Sequence, residues 1–441
     1  MANSPSVQDA QKAFVYGYPL VYNLREIGNF VSGAGSMPMK SPLNGFGAAR
    51  ELLGPETKFV TPNNDTLYIL AMCDLRSGPL LLEVPDTSGR YFVLQMVDAW
   101  SNNFAYVGTR ATGSGSGRFV LTHHGYSGDV PTGAQVIEAP TGVIAIVGRV
   151  QVYGVADLPA VRALQDQFLL SPLTGAGPLP GLPVADPNVR PELLWWDQFR
   201  VALRAFPPPA ADAEFVQLCA SLGLTSEESP FVDPTPELAE VLVAGQHAGH
   251  DLIEQLSRGG ETVNGWRSAV HMFDYNLDFT GPGTIDDPSW KSPDRTTAYM
   301  TRAVVARVGL WGNHGYEAAY FLTFVDADDE ELRGDHAYEL RLPSAPPVDA
   351  FWSLSMYDVP DYYLVANPIG RYSIGSTTQG LEVADDGSIT IVMQREQPES
   401  SRAANWLPTP AGAFRPVLRM YVPGEAVLSG AYGIPAIERI G

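Results

Sequence analysis

The hydrophobic and polar positions divide the chain into stretches of different texture. Two stretches carry short apolar or alternating runs between turn residues, which is the pattern of β-strands, and the stretch between them has apolar positions at helical spacing. The chain begins with a helical pattern over residues 7–30, which Gly17 and Pro19 interrupt. The predicted segments are a helical lead-in at 1–57, a first β unit at 58–152, a mainly helical segment at 153–311 and a second β unit at 312–441.

Within these segments, individual strands and helices can be predicted. The strand-like runs of the first unit are 67–75, 80–84, 90–98, 117–124, 134–139 and 142–150. The helical runs of the middle segment are 155–170, 191–206, 212–224, 235–258 and 293–310. The chain also has 43 glycines and 37 prolines, which favours short strands with many turns over long helices.

The two β units repeat each other. An acid, a tyrosine and an aspartate recur at the same spacing in Asp65, Tyr68 and Asp74 and in Glu317, Tyr320 and Asp326. Four more matches follow in the same order: LLEVP with ELRLP, YFVLQMVD with FWSLSMYD, GRFVLTHH with GSITIVMQ, and APTG before Arg149 with TPAG before Arg419. The repeat predicts an α+β, β-rich fold in which two related antiparallel, jelly-roll-like β-sandwich units are separated by helices.

Charge and composition narrow the classes of function. Lys and Arg total 28 against 49 Asp and Glu, so the formal net charge is −21, although charged residues are only 17% of the chain. A general nucleic-acid binder or a protein held on an anionic membrane needs more basic residues. We therefore expect neither nucleic acid nor a membrane as a partner. The composition is compatible with a small-molecule ligand, and it leaves open whether the chain forms a homo-oligomer.

The cysteines and the N-terminal residues bear on location. Cys73 and Cys219 lie far apart in apolar surroundings, which favours buried free thiols over a disulfide scaffold. No run approaches 18 apolar residues, and the first residues lack a basic stretch followed by an apolar one. We therefore expect a cytoplasmic protein.

Several strings resemble a known bacterial family. TPNNDTLY at 61–68 resembles DUF1254, a domain of unknown function. Five strings in the second unit resemble its partner domain, DUF1214: FWSLSMYD, NPIGRYSIG, DGSITI, NWLPTP and LRMYVP. The resemblance covers nearly the whole chain, and it implies a β-sandwich-rich architecture with a helical insert. It implies no particular reaction.

The cluster at the start of the first unit allows two interpretations. Asn63, Asn64 and Asp65 can satisfy the backbone of a turn that enters a strand, with Pro62 fixing its geometry. Together with Tyr68 they also offer more donors and acceptors than a turn requires. We therefore take Asn63, Asn64 and Tyr68 as candidate ligand-binding residues and Asp65 as a candidate catalytic base.

The repeat helps to separate framework from function. Features of both copies, such as Asp98 with Asp358 or Arg149 with Arg419, are the better candidates for architecture, and features of one copy are the better candidates for function. Asp98 nevertheless remains an alternative catalytic base, and His314 is a candidate acid. The further candidates for ligand binding are aromatic or polar: Trp100, Tyr316, Tyr357, Arg371, Tyr372, Asn405, Trp406 and Arg419.

Signals for metals and cofactors are weak. His247 and His250 lie one helical turn apart, but the HExxH glutamate is missing. The G-x-S-x-G, dinucleotide and P-loop patterns are absent as well. We therefore expect no cofactor and no metal.

Three functions remain open at this point. The first is a small-molecule enzyme of unassigned reaction, a metal-independent acid–base hydrolase or lyase with an aromatic and amide-lined pocket. The second is a non-catalytic small-molecule or carbohydrate-binding protein that uses the same aromatic residues. The third is a structural or envelope-associated module.

Overall fold

The computed structural model describes residues 5–35, 37–175, 177–260, 262–268 and 270–440. The helices are α1 (Val7–Ser32), α2 (Leu158–Gln165), α3 (Leu194–Ala205), α4 (Ala213–Ser221), α5 (Pro236–Ser257), α6 (Arg295–Gly309) and α7 (Glu425–Leu428). The mixed α+β class that the sequence predicts is confirmed, with the sheets in two halves and most of the helices between them.

The first half contains two sheets that share one apolar core. Its strands are β1 (Phe46–Ala48), β2 (Thr66–Asp74), β3 (Leu80–Val84), β4 (Phe92–Asp98), β5 (Asn103–Gly108), β6 (Gly117–His123), β7 (Gln135–Ala139), β8 (Val143–Gln151) and β9 (Leu169–Pro172). One sheet has the order β1-β2-β8-β4-β5, and the other has the order β7-β6-β3-β9.

The second half has the same plan. Its strands are β10 (Thr262–Val263), β11 (Trp266–Ser268), β12 (Ala318–Leu322), β13 (Tyr338–Leu342), β14 (Val348–Asp358), β15 (Ser373–Gly375), β16 (Ile389–Gln394), β17 (Trp406–Pro408), β18 (Phe414–Pro423) and β19 (Glu438–Arg439). One sheet runs β10-β11-β12-β18-β14-β15, and the other runs β17-β16-β13-β19. The order β2-β8-β4-β5 thus recurs as β12-β18-β14-β15, and β7-β6-β3 recurs as β17-β16-β13.

Three details differ from the sequence prediction. The sheets are mixed, because β6 pairs with β7 and β16 with β17 in parallel. The run 155–170 contains α2 but ends in strand β9, which completes a sheet edge. Helix α1 continues through Gly17 and Pro19, and both residues are buried against the other helices. A Cβ on Gly17 would overlap with the ring of Phe199 on α3, so glycine permits this close packing.

The repeated residues occupy equivalent positions in the two sheets. Tyr68 on β2 lies opposite Arg149 on β8, and Tyr320 on β12 lies opposite Arg419 on β18. Each arginine also binds the neighbouring strand: Arg149 Nη1 donates to Gln95 Oε1 at 2.9 Å, and Arg419 Nη1 donates to Ser355 Oγ at 3.0 Å. Gln95 and Ser355 are themselves counterparts in the repeat. The similarity read from the sequence is therefore a similarity of geometry.

Each of the two repeated acids accepts hydrogen bonds from side chains of the opposite half. Asp65, at the start of the first unit, accepts a hydrogen bond from Ser353 Oγ of the second unit at 2.6 Å. Its counterpart Glu317 accepts from Tyr91 Oη at 2.7 Å and from Arg110 Nε at 2.6 Å, both in the first unit. Both acids are buried, so the two halves are joined by reciprocal polar contacts inside a shared interface.

Helix α1 fixes the helical layer against the first unit. It packs against α3, α5 and α6, and its buried side chains belong to a large apolar core. Asn23 on this helix donates to the carbonyl of Asp98 at 2.9 Å, at the end of β4. The layer therefore holds the end of strand β4 in place.

Gly245 is expected to be required for the contact between α1 and α5. A Cβ at this position would overlap with the Cβ of Ala10 and would lie 2.9 Å from the Ala10 carbonyl carbon. Because backbone must move, we expect Gly245→Ala to lower the free energy of unfolding by about 1–3 kcal/mol. Urea unfolding measures the change, with Glu240→Ala on the exposed side of the same helix as control, expected within about 0.5 kcal/mol of wild type.

Two further predictions concern the cysteines and the membrane. Cys73 and Cys219 are both buried and free, as expected. Among the residues that the structure describes, every helix falls short of the length or the hydropathy that crossing a bilayer would require.

Candidate functional site

A cavity of about 250 Å³ lies at the end of strand β4. Its walls come from the β4–β5 turn, the prolines before α4, the segment 275–279 and helix α6. The side chains that matter for its chemistry are Asp98, Trp100, Asn102, Asp212, Tyr275, Phe279, Arg295, Tyr299 and Arg302. The volume is slightly below the range of about 300–1,000 Å³ typical of sites for drug-sized molecules, so the cavity suits a small ligand. We call it the Asp98 cavity.

Asp98 is the last residue of β4 and is 1% exposed. Its carboxylate accepts hydrogen bonds from the backbone N–H of Asn102 at 2.9 Å and from Asn102 Nδ2 at 3.0 Å. Burial raises the pKa of Asp98 to about 6, and the Asn102 hydrogen bonds oppose the rise. A carboxyl group with this pKa can exchange a proton near neutral pH.

Arg302 lies beside this carboxyl group, on the side of α6 that faces the cavity. It is 5% exposed, and its Nη1 is 3.4 Å from Asn102 Oδ1. In the part of the chain that the structure describes, its Nε and Nη2 have no hydrogen-bond partner. Asn102 thus connects Asp98 to Arg302, and one edge of the guanidinium is left without an acceptor.

Three aromatic rings surround the Arg302 guanidinium. Its Cζ lies 5.0 Å from the ring centre of Tyr299, 5.3 Å from that of Trp100 and 6.0 Å from that of Tyr16. These distances are within the range of cation–π attraction. Trp100 is itself fixed by donating from Nε1 to the carbonyl of Phe206 at 3.0 Å.

Asp212 organises the opposite wall. It accepts hydrogen bonds from the hydroxyls of Tyr16, at 2.9 Å, and Tyr299. Arg295 Nη1 also donates to it, at 2.8 Å, and the same arginine pairs with Asp278. Burial raises the pKa of Tyr299 to about 12. The charge of Arg295 is therefore already matched by two carboxylates, unlike that of Arg302.

The second unit has a groove at the equivalent place. Repeat counterparts line the two sites: Asp358, Pro410 and Ala411 in the groove, and Asp98, Pro140 and Thr141 in the cavity. The groove is larger, at about 640 Å³, but Asp358 is only partly buried and the two lining cations, Lys58 and Arg395, are exposed. The combination of a buried acid with a buried guanidinium is thus found at the cavity beside the first unit, where α6 supplies the guanidinium.

His314 and Tyr316 lie in a separate cavity of about 10 Å³. The Tyr316 hydroxyl and His314 Nδ1 are hydrogen-bonded at 2.9 Å, and His314 Nε2 lies 3.6 Å from Asp274 Oδ1. Burial lowers the pKa of His314 to about 3, which leaves the imidazole neutral. Phe279 lines both this cavity and the Asp98 cavity, so the two adjoin.

The TPNND cluster acts on its own backbone. Asn63 Oδ1 accepts from the N–H groups of Asp65 and Thr66, at 3.1 and 3.0 Å. Its amide donates to the Tyr68 hydroxyl at 2.8 Å, while the Asn64 amide donates to the carbonyl of Leu53 at 2.5 Å. Burial raises the pKa of Asp65, which is bound to serines of the second unit. Asp65 thus links the two halves, while Asn63 and Asn64 hold the segment that leads into β2.

Tyr357 and Arg419 lie at the same interface. The Tyr357 hydroxyl donates to the carbonyl of Pro62 at 2.5 Å. Arg419 Nη2 donates to the carbonyl of Thr61 at 2.9 Å, and Arg149 makes the corresponding contact with the carbonyl of Trp311. Each arginine therefore fixes the segment that leads into the other half.

The remaining candidates lie within the second unit. Arg371 Nη1 donates to the carbonyls of Ala404 and Trp406, at 2.8 and 2.9 Å. Asn405 pairs with the backbone of Glu382 through both amide atoms, and Trp406 Nε1 donates to the carbonyl of Gln394. Tyr372 packs, half-buried, against a small cluster that contains Tyr357.

The structure thus divides the predicted site residues among four places. These are the Asp98 cavity (Asp98, Trp100), the adjoining small cavity (His314, Tyr316), the interface between halves (Asn63, Asp65, Tyr68, Tyr357, Arg419) and its flank (Asn64), and the second unit (Arg371, Tyr372, Asn405, Trp406). They do not form a single constellation.

Comparison with protein families supports the resemblance seen in the sequence. Residues 43–172 match DUF1254, and residues 317–425 match DUF1214, each described as a protein of unknown function. The two matches together span more than half of the chain. The chain is a two-domain DUF1254–DUF1214 protein. A search of curated proteins found no match.

A solved structure shares the fold of this DUF1254–DUF1214 protein. The VPA0106 protein from Vibrio parahaemolyticus matches with a TM-score of 0.72 and 23% sequence identity, over 99% of this chain and 100% of that chain. An uncharacterized protein from Burkholderia cenocepacia matches with a TM-score of 0.47 and 13% identity, over 96% of this chain and 87% of that chain.

The Asp98 cavity extends beyond the two matched domains. Asp98 and Asn102 lie in the DUF1254 match, whereas the lining residues Asp212 and Arg302, and Tyr16 behind them, lie outside both matches. Sequence reasoning missed these last three. The sequence contains one signal for Arg302. It shares a helix face with Ala298, Tyr299, Val305 and Ala306, and a basic residue on such an apolar face is unusual in a chain with few bases.

Proposed function

We propose that the chain is a small-molecule enzyme in which Asp98 acts as a general acid–base group within the Asp98 cavity. The reaction class that suits this group is metal-independent hydrolysis or elimination. The observation that carries the proposal is a buried carboxyl group and a buried, under-bonded guanidinium in one small cavity. Perturbed ionisable groups in a cleft are typical of catalytic sites.

The pKa of Asp98 supports this role. Its value of about 6 lies close to neutral pH, where a group is effective both in accepting and in donating a proton. Asn102 donates two hydrogen bonds to the carboxylate and thereby fixes its orientation. At neutral pH Asp98 is mainly ionised and acts as the base of the proposed reaction.

Arg302 complements the base. A guanidinium held among aromatic rings stabilises negative charge that develops on a substrate, and its orientation is fixed before the reaction begins. Trp100 and Tyr299 form apolar walls for the body of the substrate. His314 and Tyr316 remain proposed auxiliary groups, separated from the cavity by Phe279.

The proposal can be tested with a pair of variants at repeat-equivalent positions. A thermal-shift screen of small esters, amides and hydroxy acids, followed by mass spectrometry of incubated hits, identifies a substrate. With that substrate we expect Asp98→Asn to lower kcat by about 100-fold, because the proton acceptor is lost. Asp358→Asn removes the counterpart in the groove, and its kcat should stay at the wild-type value.

The outcomes separate the functions that the sequence left open. Wild-type turnover in Asp98→Asn would show that Asp98 is not the acid–base group. Binding of a hit without product would favour a non-catalytic small-molecule or carbohydrate-binding protein, which would use the same aromatic walls.

We also propose, as finer descriptions of the fold, that the units are jelly-roll variants bounded near 58–152 and 312–441. The equal strand orders of the two halves support this description.

A further inference from the structure

Among the buried arginines that the structure describes, Arg302 has two guanidinium nitrogens without a hydrogen-bond partner, whereas Arg415 has one. Arg200 is paired with Asp197 at 2.7 Å, and Arg110 is paired with Glu317 at 2.6 Å. Arg302 has only the neutral amide of Asn102 at 3.4 Å, together with aromatic rings. Arg302 also lies near the Asp98 carboxyl group, whose pKa it lowers, but burial of guanidinium N–H groups without an acceptor remains costly. The Nε and Nη2 edge of Arg302 therefore lacks a hydrogen-bond acceptor among the described residues.

The two unpartnered nitrogens of Arg302 indicate the shape of a ligand group that could bind to them. Nε and Nη2 lie on the same edge of the guanidinium, which is the edge that binds a carboxylate through two parallel hydrogen bonds. The same geometry occurs elsewhere in the chain, where Arg76 Nε and Nη2 donate to the two oxygens of Asp74, each at 2.7 Å.

The surrounding charges favour a singly charged ligand. Asp98, Asp212 and Asp278 line the cavity, and the guanidinium of Arg295 is already bound to the last two. The Arg302 guanidinium faces the third carboxylate, Asp98, so an incoming monoanion is balanced when Asp98 takes up a proton. A phosphate dianion would bring two charges towards three carboxylates, whereas a carboxylate brings one.

We propose that the Asp98 cavity binds a small organic monocarboxylate, whose carboxylate accepts hydrogen bonds from the Arg302 guanidinium. The aromatic or apolar body of the ligand lies against Trp100, Tyr299 and Phe279. This inference rests on the proposed function only in so far as both use the same cavity, and it names the substrate class of that site.

Binding is expected to depend on pH. The bound carboxylate lies close to Asp98 and disfavours its ionised form, so a proton is taken up on binding. Affinity should therefore fall as pH rises from 6 to 8, by up to about tenfold per pH unit. The other titratable or charged groups around the cavity are His124, Asp212, Tyr275, Asp278, Arg295, Tyr299 and Arg302.

Calorimetric titration with benzoate tests the inference, with benzamide as the neutral probe of the same shape. We expect benzoate to bind the wild-type protein at pH 6 at least tenfold more tightly than benzamide. Arg302→Met should weaken benzoate binding at least tenfold, while Arg307→Met, on the same helix and outside the cavity, should leave it unchanged. If Arg302→Met does not fold, the benzoate-to-benzamide ratio and the pH dependence of the wild-type protein decide.

Several results would overturn the inference: no benzoate binding to the wild-type protein, equal binding of both probes, or wild-type affinity in folded Arg302→Met. These results are distinct from failure of the proposed function. Benzoate binding through Arg302 combined with full turnover in Asp98→Asn would keep the carboxylate site and reject Asp98 as acid–base group. Loss of turnover in Asp98→Asn, with no benzoate binding to the wild-type protein, would keep Asp98 as the acid–base group and reject the carboxylate site.

Discussion

Glu317→Ala is expected to lower the free energy of unfolding by about 3–5 kcal/mol, because it removes one partner of a buried ion pair. Glu317 is 1% exposed and accepts hydrogen bonds from Arg110 and Tyr91. The alanine variant leaves the Arg110 guanidinium largely buried without its carboxylate, and it leaves the Tyr91 hydroxyl without an acceptor. Both groups belong to the first half, so their hydrogen bonds to the second half through Glu317 are lost as well.

Urea unfolding followed by tryptophan fluorescence measures this effect. Glu396→Ala removes an exposed carboxylate of the second unit and should change stability by less than about 0.5 kcal/mol. Because the repeated acids cross between halves, we also expect the wild-type halves to unfold in one transition. A loss below about 1 kcal/mol in Glu317→Ala would contradict the assignment of this contact as a main link between the halves.

Asp98→Asn is expected to make the protein more stable at alkaline pH than the wild type. The pKa of Asp98 is about 6 in the folded chain, against a reference value of 3.8. Between these values the folded state binds more protons than the unfolded state, so stability falls as pH rises and the loss is complete above pH 6. The difference corresponds to about 3 kcal/mol, which the asparagine variant does not lose.

The pH dependence separates this effect from local changes in hydrogen bonding. Asparagine offers one acceptor fewer to Asn102, which costs about 1 kcal/mol at every pH. From pH 5 to pH 8, however, the stability of Asp98→Asn relative to wild type should rise by about 1 kcal/mol. Asp358→Asn serves as control. A difference that does not vary with pH would mean that Asp98 has an ordinary pKa in the folded chain.

Such a gain in stability on loss of the acid is typical of a functional site. Natural proteins retain unfavourable buried charges where function requires them. The repeat sharpens the argument, because the same strand end in the second unit carries a partly exposed Asp358 beside an open groove. Two copies of one framework therefore differ at the place where the chemistry is proposed.

Much of the framework could be predicted from the sequence. Strands such as β2, β4 and β8 are long apolar runs between turns, and the paired Tyr68 and Arg149 recur in the second unit with the same spacing. Strand β5 was missed, because Asn103–Gly108 contains neither strict alternation nor a run of β-branched residues. Helix α1 was predicted with interruptions, since packing around Gly17 and Pro19 is a tertiary effect that periodicity does not report.

The site was less predictable. Asp98 and Trp100 were chosen as candidates, but their partners Tyr16, Asp212 and Arg302 come from distant parts of the chain. Contacts between residues so far apart leave no periodic signal in one sequence. The polar TPNND cluster gave a strong local signal, and in the structure its groups serve a turn and the interface between the halves.

The central claim is that Asp98 is a buried acid poised near neutral pH inside a ligand cavity. A carbon-13 NMR titration of the aspartate carboxyl groups, compared between wild type and Asp98→Asn, tests it most directly. We predict a carboxyl signal that titrates near pH 6 in the wild type and is missing from the variant. If the signal lost in Asp98→Asn titrates instead near the ordinary aspartate value of about 3.9, Asp98 is not perturbed and the account is wrong.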